Sequence, residues 1–303
     1  MSDETLMEDT LERLVAPLRA LAEKGRRDDL ERLGEIVEDL VLGEQLFERH
    51  RGPYVTIFGS ARTPLDAPLS RVTEDLARLL RSRGWMIVAG AGPGIMAAAA
   101  KGAGLDGNIG INIELPFEHG TNPWVDETDH HVATAHFFTR KVLLTRQAHA
   151  FVALPGGVGT MDELFEVLTL LNTSKTTPAP VVLLDEPGGT FWKEWSRFMD
   201  RVISDGYLSP GDASMYRLYD DPGAAADYLD SFYRVFESAA VGGGRAVVRL
   251  RRGVSDATRA QLESLVGPVD WASDREVAFD HDGRRYARLV GAIDCLNADG
   301  EAS

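Results

Sequence analysis

Cysteine is almost missing from this chain: Cys295 stands alone, which rules out an internal disulfide framework and any metal cage built from cysteines. Such scarcity suits the reducing cytosol, and the lone thiol reads as a small buried apolar residue. Long apolar runs are missing too. The stretch around Val181 to Leu184 is strand-sized, far short of the roughly 20 residues that a membrane-spanning helix requires. The opening Met1-Ser2-Asp3-Glu4 is acidic and has neither the basic nor the apolar segment of a secretory signal. The expectation is a cytoplasmic protein without a membrane partner.

An excess of basic charge is equally absent. Lys and Arg number 32 against 47 Asp and Glu, giving a formal net charge of -15. The acids are spread along the whole chain, so most of the surface would repel a nucleic-acid backbone, and nucleic acid is excluded as a partner. A small anion is still admissible, because a helix N-terminus and a local arginine capture phosphate against an acidic background. Two nucleotide signatures are missing as well. No G-x-G-x-x-G follows the first candidate strand, which counts against a dinucleotide-dependent dehydrogenase. No G-x-x-x-x-G-K-[ST] occurs, so ATP hydrolysis has no support.

What is present is ample for a large core: 303 residues, 44% of them hydrophobic and 26% charged. Residues 1–50 have helical periodicity. Leu11, Leu14, Val15, Leu18 and Leu21 form one apolar stripe, and Leu30, Leu33, Ile36, Val37, Leu40 and Val41 form another after Gly25. Two amphipathic helices are predicted, an N-terminal extension that packs on the main domain or on a partner subunit.

Residues 51–240 change texture to short apolar runs alternating with helical stretches, the pattern of a parallel sheet wrapped by helices. Strands are predicted at Tyr54–Phe58, Met86–Ala89, Ile109–Ile113, His130–Ala133, Ala150–Leu154 and Val181–Leu184. Helices are predicted at Ser70–Arg83, Gly94–Gly102, Phe137–Gln147, Met161–Leu171, Trp192–Ser204 and Pro222–Phe236. In residues 241–303, Val241-Gly242-Gly243-Gly244 reads as a linker. It leads to a small α+β appendage with a strand at Arg245–Leu250, a helix at Asp256–Leu265, and alternating stretches at Glu276–Phe279 and Arg285–Val290. The expected fold class is therefore α/β, a Rossmann-like doubly wound parallel sheet with a helical extension before it and an α+β appendage after it.

Three strand-to-helix junctions are rich in glycine: Phe58-Gly59-Ser60-Ala61-Arg62, Ala89-Gly90-Ala91-Gly92-Pro93-Gly94, and Leu154-Pro155-Gly156-Gly157-Val158-Gly159-Thr160. All would lie at the carboxyl ends of parallel strands, where open α/β sheets bind ligands. Glycine lets the backbone approach a ligand with several N–H groups turned toward it, and the helix that follows adds its positive end. A tight strand-helix turn needs glycine with or without a ligand, but three such loops in one sheet favour a phosphate cradle.

Pro155-Gly156-Gly157-Val158-Gly159-Thr160-Met161-Asp162-Glu163 resembles the PGGxGTxxE motif of the LOG (Lonely Guy) family. Arg140-Lys141 stands where that family has its Arg-Lys pair, and the similarity extends over about Pro53 to Phe236. Members are often labelled lysine decarboxylases, yet nothing here resembles a Schiff-base lysine with a partner for a pyridine nitrogen. The resemblance implies a nucleoside 5′-monophosphate phosphoribohydrolase that releases free base and ribose 5-phosphate from AMP-like or N6-modified adenine nucleotides, the cytokinin precursors. It implies no metal or organic cofactor, and a homo-oligomer, a dimer or a multiple of one.

Carried over residue by residue, the resemblance assigns catalysis to Glu163 and Arg140. Gly156, Gly157, Val158, Gly159 and Thr160 would hold the 5′-phosphate with Gly59, Ser60, Gly92 and Gly94 of the other loops. Lys141 would assist Arg140. Thr169 matches a substrate-contact position, and Asn122 lies where many members have a glutamate. A non-catalytic nucleotide sensor or carrier on the same fold is the alternative reading.

Blander readings stand beside these. Thr160-x-x-Glu163 is also a capping box that would merely satisfy helix N–H groups. Arg140 and Lys141 fit the solvated face of a helix whose apolar side carries Leu143 and Leu144. His130-His131 near Asp126, Glu127 and Asp129 suggests a metal, but neighbouring strand residues point to opposite faces, which speaks against one. Trp192 and Trp195 are at core spacing.

Overall fold

The computed structural model describes residues 3–114, 120–126, 128–283 and 286–300. Two helices come first, α1 (Asp3–Glu23) and α2 (Arg27–Arg49), parted around Gly25 as the periodicity predicts. Then follow β1 (Tyr54–Phe58), α3 (Pro68–Ser82), β2 (Met86–Ala89), α4 (Ile95–Ala103), β3 (Asn108–Ile113) and the short α5 (Pro123–Asp126). After them come β4 (His131–Thr134), α6 (Phe137–Arg146), β5 (Ala150–Ala153), α7 (Val158–Asn172), β6 (Val181–Leu184), α8 (Phe191–Ser204), β7 (Arg217–Tyr219) and α9 (Pro222–Phe232). The last elements are β8 (Phe236–Gly242), β9 (Arg245–Leu250), α10 (Asp256–Val266), β10 (Val269–Ser273), β11 (Glu276–Asp280) and α11 (Tyr286–Asn297).

Strands β1 to β7 form one sheet in the order β4-β3-β2-β1-β5-β6-β7, every pair parallel. The chain works outward from β1 to β4 and then returns to the other side of β1 with β5. The order therefore reverses between β1 and β5, where Val55 is in register with Ala150 and Phe58 with Ala153. A crevice opens at such a switch point beyond the strands' carboxyl ends.

Burial on both faces explains the continuous apolar runs. Side chains alternate along each strand. Val55, Ile57, Ile87, Val152 and Val182 pack with residues of α3, α4 and α9. Tyr54, Phe58, Val88, Phe151 and Leu183 pack with residues of α2, α6, α7 and α8. Each such side chain contributes about 1.5–3 kcal/mol relative to exposure. Trp192 and Trp195 belong to this core, as their spacing predicts, and Cys295 is buried in the second one.

That second core lies under a four-stranded antiparallel sheet ordered β10-β11-β9-β8, covered by α10 and α11. Here three readings need correction. Val241 to Gly244 is no linker: β8 and β9 pair directly, with Gly242 opposite Arg245. Gly243 and Gly244 take φ of 59° and 81°, the left-handed turn that joins two strands tightly. The helix expected to run to Phe236 stops at Phe232, because Phe236 begins β8. From Tyr286 onward the alternating pattern is helix, not strand, because one stripe, Leu289, Val290, Ile293 and Leu296, is buried. Strands β7, β8 and β10 were not predicted; exposed or half-buried residues dominate all three, so their apolar signal is weak.

No helix among the described residues is long and apolar enough to cross a membrane.

Candidate active site

All three glycine loops stand at the carboxyl ends of their strands: the first after β1, the second after β2, the third after β5. They are tied together by main-chain bonds. Ile95 N–H, at the start of α4, donates to Ser60 O (3.0 Å), and Leu154 N–H donates to Phe58 O (2.9 Å). Ser60 Oγ accepts from Arg62 N–H at 3.1 Å. Gly94 takes φ 68°, and a Cβ there would lie 2.3 Å from Ser60 O, so this close approach of two loops needs glycine.

Helix α7 starts at Val158, one turn before the predicted Met161. Its N-cap is Gly157, and no side chain caps it. The first turn, Val158-Gly159-Thr160, therefore offers N–H groups that the helix cannot use itself. A Cβ at Gly157 or Gly159 would meet nothing within 4 Å, so the approach to these groups is open. The capping-box reading fails for the same reason. Thr160 is the third residue of the helix, and Glu163 lies beyond the turn that such a box satisfies.

Glu163 instead meets Arg140. Arg140 Nη1 donates to Glu163 Oε1 at 3.0 Å, and Arg140 Nε donates to Ile111 O on β3 at 2.9 Å. Both side chains are largely buried, 12% and 15% exposed, so the solvated-face reading fails for Arg140. Burial raises the Glu163 carboxyl above its usual pKa; Arg140 opposes this and Asp162 adds to it. The pair assigned to catalysis is thus in direct contact. The second loop holds the guanidinium from the other side: a Cβ on Gly90 would lie 2.0 Å from Arg140 Nη2.

Lys141 turns to α7, where Nζ contacts Asp162 Oδ1 at 2.8 Å and Glu166 Oε2 at 2.9 Å. Its ammonium holds α6 to α7. Thr169 is on the exposed face of α7, away from the Arg140–Glu163 contact. Asn122 is buried; its Nδ2 donates to the carbonyls of Ala91 (3.0 Å) and Gly92 (3.1 Å), which clamps the second loop. Its Oδ1 is buried with no partner among the described residues.

A cleft of about 640 Å³ opens at the first and second glycine loops, lined by Arg62, Gly92, Asn112, Thr121, Asn122 and Trp124 among others; Arg140, Glu163 and the third loop are not among its lining residues. Asn112 follows Ile111, and Gly92 lies two residues past Gly90, so the cleft wall begins beside the groups that hold Arg140. Another cleft, about 540 Å³, lies between α6, α7 and β8 and includes none of the glycine loops. Of these two clefts, the first is the one that touches the glycine loops, which makes it the candidate ligand cleft.

Sequence reasoning missed Asp39. This carboxylate, on α2, is 6% exposed. It accepts from Ala135 N–H at 3.1 Å and from Thr139 Oγ1 at 2.6 Å. It thus anchors α2 to the start of α6, the helix that carries Arg140. A buried acid in an amphipathic stripe carries no signal of its own, because its partners lie about a hundred residues away.

The fold and site together define a Rossmann-like α/β protein with its candidate site at the point where strand order reverses. The family described as "possible lysine decarboxylase" matches residues 94–229. Over 166 residues the chain is 30% identical to the cytokinin riboside 5′-monophosphate phosphoribohydrolase of Mycobacterium tuberculosis, covering 52% of this chain and 84% of that protein. It is 28% identical over 166 residues to the enzyme of the same name from Rhodococcoides fascians, covering 53% and 80%. The molybdenum cofactor binding protein of Rippkaea orientalis is 19% identical, with 60% of this chain and 97% of that one covered and a TM-score of 0.44. The chain belongs to the LOG family, whose named members here are hydrolases of N-glycosyl bonds.

Proposed function

We propose that this protein is a nucleoside 5′-monophosphate phosphoribohydrolase acting on AMP-like or N6-modified adenine nucleotides. Water adds to the ribose anomeric carbon, the carbon–nitrogen bond to the base breaks, and free base and ribose 5-phosphate leave. The observation that carries this reading is the buried contact of Arg140 with Glu163 beside an uncapped helix start.

Each part has a task in that chemistry. The N–H groups of Val158, Gly159 and Thr160 bind the 5′-phosphate at the positive end of α7. From there the base extends toward the cleft at the second loop, where Trp124 is among the lining residues available to it. Breaking the glycosidic bond develops positive charge on the ribose ring, and Glu163 stabilises it more than it stabilises the neutral ground state. Arg140 keeps Glu163 in place and supplies the site's cation. Residues 51–240 carry this machinery.

We also assign the protein to homo-oligomers. Phe137, Phe138, Val158 and Phe165 are exposed on α6 and α7, the two helices that carry the pair, and Val158 is 87% exposed. Apolar groups gathered there fit a subunit contact next to the site.

The test is incubation with a panel of nucleoside monophosphates and chromatography of the released base. Release from adenine nucleotides that Glu163→Gln abolishes is the expected result. Tight binding with no release, unchanged in Glu163→Gln, would replace this reading with that of a nucleotide sensor or carrier.

A further inference from the structure

Away from the candidate active site, three side chains from two distant parts of the chain converge where α2 meets the edge of the parallel sheet. His50 ends α2, while Asp129 and His130 lead into β4. One donor atom from each lies within 4.8 Å of the other two. The rings of His50 and His130 have centroids 3.8 Å apart. His130 Nε2 is 3.5 Å from Asp129 Oδ1.

The nitrogens on the remaining sides of these rings are unusual. His50 Nε2 and His130 Nδ1 are both buried, and neither has a hydrogen-bond partner among the described residues. An orphaned buried polar atom of this kind destabilises a fold. Two of them in touching rings, with a carboxylate beside them, form a donor set that lacks an acceptor of electron pairs. A divalent cation among them would take a lone pair from one nitrogen of each imidazole and neutralise the acid.

We propose that His50, Asp129 and His130 form a transition-metal site, best matched to Zn²⁺, that fastens the end of α2 to the start of β4. Two imidazoles and one carboxylate are a ligand set that zinc accepts, with a fourth position for water. Tetrahedral zinc with bonds of about 2.0–2.1 Å places its ligand atoms roughly 3.4 Å apart. Reaching that geometry takes rotation of the Asp129 side chain, 81% exposed, and a turn of the two imidazoles away from their present centroid spacing of 3.8 Å toward the roughly 5 Å of two rings on one zinc. His130 stands at the amino end of β4, so the site is at the opposite end of the sheet from the glycine loops. Its role is to hold the α2 anchor, and it is separate from the chemistry at Glu163. The notion of His130 and His131 acting as neighbouring ligands is not revived: His131 is absent from the set, and Glu127 lies outside the described residues.

The experiment uses the full chain, freed of metal by dialysis against a chelator and then titrated with ZnCl₂ calorimetrically and with CoCl₂ by visible absorption. One zinc per chain with micromolar or tighter affinity is expected. A tetrahedral cobalt spectrum and a rise in melting midpoint of roughly 5 °C at a hundredfold excess over Kd should accompany it. His50→Gln and His130→Gln should each weaken zinc at least tenfold. Asp129→Asn alters an exposed side chain and so reports on binding without disturbing the fold; a loss of several-fold is expected. A wild-type protein that takes up no zinc at 100 µM overturns the proposal, as does affinity unchanged in both Asp129→Asn and His130→Gln.

Discussion

Arg140 and Glu163, one on α6 and one on α7, meet at 3.0 Å in a contact that excludes most solvent from both. The arginine is gripped on two further sides, by the Ile111 carbonyl and by the backbone of Gly90. A guanidinium bound in this way has a defined resting place, so the carboxylate it holds is oriented by it. Pre-organisation of this kind is what a developing positive charge on a ribose ring exploits.

The first consequence concerns rate. Glu163→Gln keeps the shape of the side chain and removes its charge. Base release is expected to fall roughly 10²–10⁴-fold in kcat with KM changed by less than threefold. Steady-state kinetics on AMP gives both parameters, and a loss confined to KM would mean that Glu163 only binds.

The second concerns pH. Glu163 has a raised pKa, so it gains its charge at higher pH than the ordinary 4.5. If the carboxylate is the working form, kcat climbs with pH through an acid limb above 4.5. Arg140→Ala removes the group that opposes the shift and should move that limb further up. Stability has the opposite slope. The folded state binds this proton more tightly than the unfolded chain, so the Glu163 contribution is full below pH 4.5 and is lost as pH rises through the raised value. Urea unfolding of wild type and Glu163→Gln between pH 4 and 8 checks this: the variant should gain on the wild type as pH increases.

A third expectation separates two glycines of one loop. In Gly90→Ala the new Cβ meets Arg140 Nη2 at 2.0 Å and Met96 Sδ at 2.6 Å, side-chain ends and not backbone, so the guanidinium is pushed off its resting place while the main chain keeps its path. Activity should drop at least tenfold with stability changed by about 1 kcal/mol or less. In Gly94→Ala the new Cβ meets the backbone of Ser60 and Ala61 at a φ of 68°. That strain has no flexible outlet and should lower stability by about 2–3 kcal/mol. Paired melting curves and assays tell the two apart.

Asp39 yields a fourth. Asp39→Ala leaves the Ala135 N–H without its acceptor and strips one from the Thr139 hydroxyl, a change expected to lower stability by about 2–3 kcal/mol. Because α6 begins there, kcat should fall as well, although Asp39 touches neither Arg140 nor Glu163. Wild-type kcat in a folded Asp39→Ala protein would show that α6 needs no anchor from α2.

Much of this was readable from local pattern. A strand buried on both faces must be apolar throughout, so β1, β2 and β6 have the bounds their residues announce. A glycine loop between such a strand and a helix also declares itself, and with the family motif it singled out Arg140 and Glu163. Periodicity misled where a strand was half-exposed, as at β8 and β10. It misled again at α11, where a helical stripe resembles alternation over a few residues.

What local pattern could not contain was distance across the fold. Contact between Arg140 and Glu163, the turning of Lys141 toward Asp162 and Glu166, the burial of Asp39 and the meeting of His50 with His130 all join elements far apart in the chain. Hydrophobic periodicity selects which face of a helix turns inward. Which polar group it then finds there depends on how the layers stack, and every residue of the packed core sets that jointly.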